Sequence, residues 1–316
     1  MCTSIGITTK DGHHLLGRTM DWPELKVAPL FVPREYAWQT RFDHRTYRTR
    51  YALVGGGMIA GDLIDVSDGV NEAGLMVQKL TFDHGGRLSV ARRADKDQLA
   101  PFELALYLLG RFASVAEVRA HLGEVELMSD DFSDFKYGPV MQHYAVMDRS
   151  GAIAVIEPGQ GPLVLRENPL GVLTNYPDFA GQLRKLAAYV DFRPDYLAGT
   201  LPLGSFHVTT GKLSGKKTPP GGYSPSARFL RAAYLKEYAD QPATAREGVV
   251  TVSHLLDAVT VPRSFGHRPT YSVYRSIVDA ERRTYYFQAY DQLGMTALEL
   301  TPELIATGRA QVYQNH

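Results

Sequence analysis

The chain is 316 residues long and 44% hydrophobic, enough to bury a substantial core, and no low-complexity or long Gly/Pro/Ser-rich run divides it. Its 34 Lys and Arg balance its 34 Asp and Glu, which argues against nucleic acid or an anionic membrane surface as partner and leaves a small molecule or a second copy of the chain. A lone cysteine, Cys2, excludes an internal disulfide framework and a cysteine zinc cluster, and with no HExxH pattern or spaced His/carboxylate set the expectation is no metal and no cofactor.

No apolar run reaches the ~18–20 residues of a transmembrane helix, and no basic and apolar leader opens the chain, so a cytoplasmic protein is expected. Residues 2–9 (CTSIGITT) are rich in β-branched side chains, Lys10-Asp11-Gly12 supplies a turn, and residues 13–19 (HHLLGRT) read as the returning strand of a hairpin. Such a hairpin brings the far end of its second strand, with Arg18 and Asp21, back beside Cys2. If an aminopeptidase removes Met1, which the small side chain at position 2 permits, one Cα carries both a thiol and a free α-amino group. Such an amine titrates near ~7.7–8.0 and a free thiol near ~8.5, so nucleophile and base are both poised near neutral pH. Asp21 is placed to hold an α-ammonium and Arg18 to stabilise a thiolate; as a plain surface ion pair the two would contribute only ~0–1 kcal/mol.

Strands are predicted at 30–32, 51–54 and 74–82. The triple glycine Gly55-Gly56-Gly57 reads as a loop or strand bulge, since it lacks the Gly-Lys-Ser/Thr ending of a phosphate-binding loop, and Asp68-Gly69-Val70-Asn71 reads as a turn. Helices are predicted at 98–112, through Leu99, Phe102, Leu106 and Leu109, and at 115–122 behind Ser114 as N-cap. Residues 143–147 and 152–156 flank the turn Asp148-Arg149-Ser150-Gly151 as a hairpin, and strands follow at 163–165 and 171–174, the second ending at Asn175. A helix starts at Pro177 and Asp178 and runs through Gln182, Leu183, Leu186 and Tyr189, whereas residues 197–222 form the least regular stretch, a candidate functional or assembly loop. Ser224 as N-cap and Pro225 at the first helical position then place Arg228 in a first turn, where a cation opposes the helix dipole by ~0.3–1 kcal/mol. A local rule broken in this way points to a site. A helix at 249–259 and strands at 270–278, 284–290 and 297–300 complete a layered α+β pattern whose terminal strands share one core.

In order along the chain, Met1-Cys2-Thr3-Ser4, Gly17-Arg18-Thr19-Met20-Asp21-Trp22, Asp68-Gly69-Val70-Asn71-Glu72-Ala73-Gly74-Leu75, Gly171-Val172-Leu173-Thr174-Asn175 and Ser224-Pro225-Ser226-Ala227-Arg228-Phe229 resemble the penicillin V acylases and conjugated bile salt hydrolases. These form the choloylglycine hydrolase family of N-terminal-nucleophile hydrolases. The resemblance spans nearly the whole chain and implies one domain, residues 1–316 less Met1, with a four-layer αββα fold of two antiparallel sheets between helical layers, often assembled as a homotetramer. It implies Cys2 as nucleophile, Asp21 as the carboxylate that hydrogen-bonds the α-amino group, Arg18 and Arg228 as cations near the thiol, and Asn175 with the backbone N–H of Thr81 as oxyanion hole.

Two positions depart from the family. Thr81 stands where acylases commonly carry Tyr and bile salt hydrolases Asn, and Tyr176 interrupts the usual Asn-Ser-Pro; both bear on substrate range rather than on the reaction. Met20, Trp22, Phe82 and Tyr176 are expected to line the acyl pocket. The expected reaction is hydrolysis of a linear amide through an acyl-thioester. Penicillin V is the expected substrate because Arg18-Thr19-Met20-Asp21, Gly74-Leu75-Met76 and Pro225-Ser226-Ala227-Arg228-Phe229-Leu230-Arg231 look closer to the acylase branch. Conjugated bile salts are the alternative; an acyl-homoserine lactone acylase or a non-catalytic sensor with an oxidisable Cys2 are further ones.

Overall fold

The structure, a computed structural model, describes residues 1–82, 86–129, 141–159, 162–187, 200–203, 206–209 and 221–313. The β-branched N-terminus forms β1 (Cys2–Thr8) and β2 (His14–Trp22), joined through Gly12 at φ +86°, a left-handed conformation that glycine takes without steric cost. β3 (Ala28–Val32), β4 (Ala37–Gln39), β5 (Thr46–Arg48), β6 (Leu53–Ala60), β7 (Leu63–Asn71), β8 (Met76–Thr81) and β9 (Asp97–Leu99) lead to α1 (Leu104–Arg111) and α2 (Val115–His121). Next come β10 (Val125–Leu127), β11 (Gln142–Met147), β12 (Ile153–Pro158), β13 (Leu163–Glu167), β14 (Val172–Leu173) and α3 (Phe179–Ala187). β15 (Thr200–Leu203), β16 (Phe206–Thr209), α4 (Pro225–Glu237), α5 (Ala245–Asp257), β17 (Tyr271–Asp279), β18 (Thr284–Ala289), β19 (Thr296–Glu299), α6 (Pro302–Ala306) and β20 (Gln311–Val312) follow.

Two large antiparallel sheets result. One has the order β14-β1-β2-β17-β18-β19, the other β13-β12-β11-β8-β7-β6-β3-β20. The β2–β17 pairing joins the two ends of the chain in one sheet, as the strand pattern predicts. Period-2 alternation sends neighbouring residues of the eight-stranded sheet into different cores. Val54, Val70, Met76, Ala145, Met147 and Val155 join a core that also holds Cys2, Met20 and Tyr274, whereas Leu53, Leu75, Val77, Tyr144, Val146 and Ile156 pack with residues of α1 and α2. With α4 and α5 against the six-stranded sheet and α1 against β7 and β8, the layers run helix, sheet, sheet, helix.

Several boundaries move. Ser114 and Ser224 cap α2 and α4 as expected, accepting from Glu117 N at 3.1 Å and Ala227 N at 3.3 Å. The helix expected at 98–112 is shorter: Asp97–Leu99 is a strand paired with Val125–Leu127, and the α-helix begins only at Leu104, after a single 3-10 turn at Pro101–Glu103. α5 starts earlier than residue 249, where Thr244 accepts from Glu247 N at 3.3 Å. Asp68-Gly69-Val70-Asn71 is no turn but the end of β7. The reversal comes three residues later at Gly74 (φ +90°), where Asn71 Oδ1 accepts from Ala73 N at 3.1 Å and Leu75 N at 3.0 Å. The triple glycine lies inside β6, with a register shift between Gly56 and Gly57 that is the expected bulge. Within 197–222, the β15–β16 hairpin and residues 221 and 222 are described; the remainder, like Tyr189, lies outside the described residues.

Candidate active site

The register of the first hairpin builds the site. Cys2 pairs with Met20, and Arg18, two residues back on β2, is its diagonal neighbour. Arg18 Nη2 donates to Cys2 Sγ at 3.0 Å, and Met20 Sδ lies 3.6 Å from the same sulfur. The other side of the guanidinium is fixed by the opposite sheet: Nη1 donates to Lys79 O at 2.8 Å and Ser67 O at 3.2 Å, and Nε lies 3.4 Å from Asp68 Oδ2. Burial alone would weaken the hold of this guanidinium on its proton; Tyr274, Cys2, Asp68 and Tyr285 together reverse the balance and raise it above the ordinary arginine value. Arg18 is therefore a permanent cation.

A second guanidinium approaches from α4. Arg228 Nη1 donates to Cys2 O at 2.6 Å and Thr3 Oγ1 at 2.5 Å, Nη2 donates to Asn175 Oδ1 at 2.9 Å, and Nε donates to Tyr223 O at 3.0 Å. Its Nη1 also lies 3.6 Å from Asp21 Oδ2. Burial lowers its proton affinity, opposed by Asp21 and Cys2. Cys2, Arg18, Asp21 and Arg228 have no exposed surface, and Asn175 is buried as well. A first-turn arginine that looks misplaced on the helix is thus spent on the chain's second residue.

Asn175 joins the two sheets. Its Oδ1 accepts from Cys2 N at 2.7 Å, and its Nδ2 donates to Thr81 O at 2.8 Å. The two donors at Oδ1 settle which end of the amide is oxygen, and Nδ2 has one further N–H beyond the bond to Thr81. Its turn is braced on three sides. Gln182 of α3 bonds both Thr174 N and O, Phe179 N donates to Glu157 Oε1 at 2.9 Å, and Thr174 Oγ1 donates to Pro225 O at 3.0 Å. Asp21 Oδ1 accepts from Ser272 Oγ at 2.5 Å, whereas the buried Oδ2 has no hydrogen-bond partner. Met1 continues the ladder: its N–H donates to Asp21 O, and Asp21 N donates to Met1 O at 2.6 Å.

The structure therefore brings Cys2, Arg18, Asp21, Asn175, Arg228 and Thr81 into one cluster. The expected pocket residues divide. Met20 lies against the thiol; Trp22 is half-buried opposite Tyr271; Tyr176, beside Asn175, is 50% exposed. Phe82 is fully buried, its ring stacked on His143 with centroids 4.6 Å apart, and forms wall rather than open surface. Sequence reasoning missed Thr3, Asp68, Ser272, Tyr274 and Gln182. Only Thr3 and Asp68 lie in the quoted motifs, with nothing local to mark their partners. Among the described residues His13, Asp279 and Glu281 stand close enough to share a cation, at the opposite end of the hairpin from Cys2. His13 Nδ1 already lies 3.0 Å from both Asp279 oxygens, and Glu281 bonds His14.

A layered fold with a cysteine held at the head of its first strand defines an amide hydrolase of the N-terminal-nucleophile class. Residues 2–311 match the linear amide C–N hydrolases, choloylglycine hydrolase family, and the chain belongs to that family. It is 27% identical to the bile salt hydrolase/transferase of Clostridium perfringens, over 99% of this chain and 97% of that protein, and 29% identical to the one of Lactiplantibacillus plantarum, over 97% and 94%. The crystal structure of a variant conjugated bile acid hydrolase from Clostridium perfringens superposes with a TM-score of 0.88 at 26% identity, covering 100% of this chain and 97% of that one. The penicillin V acylase of Agrobacterium tumefaciens superposes with a TM-score of 0.75 at 21% identity, covering 98% and 90%, a likeness of fold alone.

Proposed function

We propose that the chain hydrolyses the amide of conjugated bile salts, with Cys2 as nucleophile. Similarity to bile salt hydrolases over almost the full length of both proteins supports this substrate class over penicillin V. The acylase-like motifs around Met20 and Arg231 are local, and they are outweighed.

Chemically, removal of Met1 frees the Cys2 nitrogen beside Asn175 Oδ1, and Asp21 Oδ2, which accepts no hydrogen bond, is the acceptor that an ammonium there calls for. The thiol proton passes to that amine, and the sulfur, hydrogen-bonded by Arg18 Nη2, attacks the amide carbon. The oxyanion takes the second Nδ2 hydrogen of Asn175 and the Thr81 N–H. On collapse the C–N bond breaks and the leaving amine takes the proton from the α-ammonium. Water, deprotonated by the same amine, then cleaves the thioester and releases the carboxylic acid.

The test is a parallel assay of glycocholate, penicillin V and an acyl-homoserine lactone, with a mass spectrum to establish whether Met1 is gone. Glycocholate is expected to be cleaved fastest, and Cys2→Ala to abolish turnover with the fold intact. Faster cleavage of either other substrate overturns the substrate assignment; full activity of Cys2→Ala overturns the nucleophile.

A further inference from the structure

Gly55-Gly56-Gly57 has no role in the proposed reaction, yet Gly56 borders Asp68, the carboxylate beside Arg18. A Cβ on Gly56 would stand 2.1 Å from Tyr285 Oη and 2.9 Å from Asp68 Oδ1. Only glycine leaves room for that hydroxyl to reach that carboxylate. Tyr285 donates to Asp68 Oδ1 at 2.6 Å, while Tyr274 and Ser276 donate to Oδ2 at 2.9 and 3.1 Å, next to the Arg18 Nε at 3.4 Å. The Arg18 guanidinium also lies 5.8 Å from the centroid of the Tyr274 ring. Every one of these groups is buried. Three hydroxyl donors and a cation thus converge on one buried carboxylate. Burial, reinforced by Asp68 and at Tyr274 opposed by Arg18, pushes both tyrosines well above the usual phenol range, so they remain donors.

We propose that Asp68 is a positioning residue, the counter-charge that shares Arg18 with the Cys2 sulfur, and that Gly56 stays small to complete its set of donors. This rests on Cys2 being the nucleophile. Thiolate nucleophilicity falls as the thiolate becomes more stable, with a Brønsted slope of about 0.4–0.5. An undivided cation 3.0 Å from the sulfur would trap the thiolate and hinder return of the proton from the α-amine. Splitting the charge keeps the hydrogen bond and moderates the trap. Among the described residues, the charged groups facing Cys2 are Arg18 from β2 and Arg228 from α4, with Asp21 beyond Arg228; the titratable groups facing Asp68 are Arg18, Tyr274 from β17 and Tyr285 from β18.

With one cysteine in the chain, ultraviolet thiolate absorbance referenced to Cys2→Ala reads this thiol alone. Asp68→Asn, isosteric and uncharged, is expected to move the midpoint of thiolate formation to lower pH by about one unit, a tenfold gain in thiolate below the midpoint. A midpoint unchanged or raised in the folded variant overturns the proposal, since a merely structural role would not move it to lower pH. Should Asp68→Asn fail to fold, the double variant Tyr274→Phe with Tyr285→Phe is read by the same criterion. It strips two of the three hydroxyl donors that hold the carboxylate against Arg18. The measurement uses no substrate, so failure of the parent to cleave any amide would sink the functional reading and leave this result standing.

Discussion

The two guanidiniums around Cys2 are equally buried and held in opposite ways. Arg18 bridges the sheets, with one edge on the sulfur and the other on backbone carbonyls and a carboxylate that has three further hydroxyl donors. Arg228 comes from a helix and touches no sulfur; it clamps the Cys2 carbonyl, Thr3 and Asn175, with Asp21 as its ion-pair partner. Burial wins at Arg228 and loses at Arg18. One side sets charge at the sulfur, the other fixes the Cys2 carbonyl and the Asn175 amide.

That contrast can be broken by exchanging the losses. Arg228→Leu should cost about 3–5 kcal/mol of stability, because Asp21 would lose its buried guanidinium partner and keep a single hydroxyl donor, while Arg18→Leu should cost less, since Asp68 keeps its three donors. Denaturant midpoints at unchanged m-value check the order; equal losses would show that the two sides are not different in kind. Next in size, Asn175→Ala should lower kcat by about 10²–10³, the usual worth of one oxyanion donor, measured under saturating substrate. A loss confined to KM would remove Asn175 from the transition state.

The smallest effect lies away from the centre and serves as its control. Glu103, buried before α1, accepts from Arg41 N at 2.7 Å and Ala100 N at 2.8 Å, and burial pushes its carboxyl up to about 7. A carboxyl raised above its unfolded value of 4.5 binds a proton more tightly in the folded state, so its contribution to stability falls as pH rises from 4.5 to about 7. Glu103→Gln should flatten that slope and leave turnover unchanged. An altered kcat would couple the second core to the site.

The hairpin, the caps at Ser114 and Ser224 and the pairing of terminal strands were readable from local pattern, because turn chemistry and hydrophobic period act within a few residues. The five expected catalytic residues could be named through motifs, although hairpin register alone brings only Arg18 and Asp21 to Cys2. What was not readable depends on distant partners. Asp68, Gly69 and Asn71 are turn formers by local preference, yet Asp68 is held in a strand by donors more than two hundred residues away, 206 to Tyr274 and 217 to Tyr285. Helical spacing through Leu99 and Phe102 was likewise overruled, as pairing with Val125–Leu127 draws Asp97–Leu99 into a strand and Pro101 starts the turn.

The pairing of Met1 with Asp21 bears on when the proposed removal of Met1 can take place. Both main-chain groups of the first residue are engaged, and Cys2 has no exposed surface, so the Met1–Cys2 peptide bond is zipped into the ladder once the hairpin closes. An aminopeptidase needs that segment loose and extended. On the proposed reading, removal of Met1 has to precede closure of the hairpin, and a molecule that closes first keeps its methionine and with it an acylated Cys2 nitrogen.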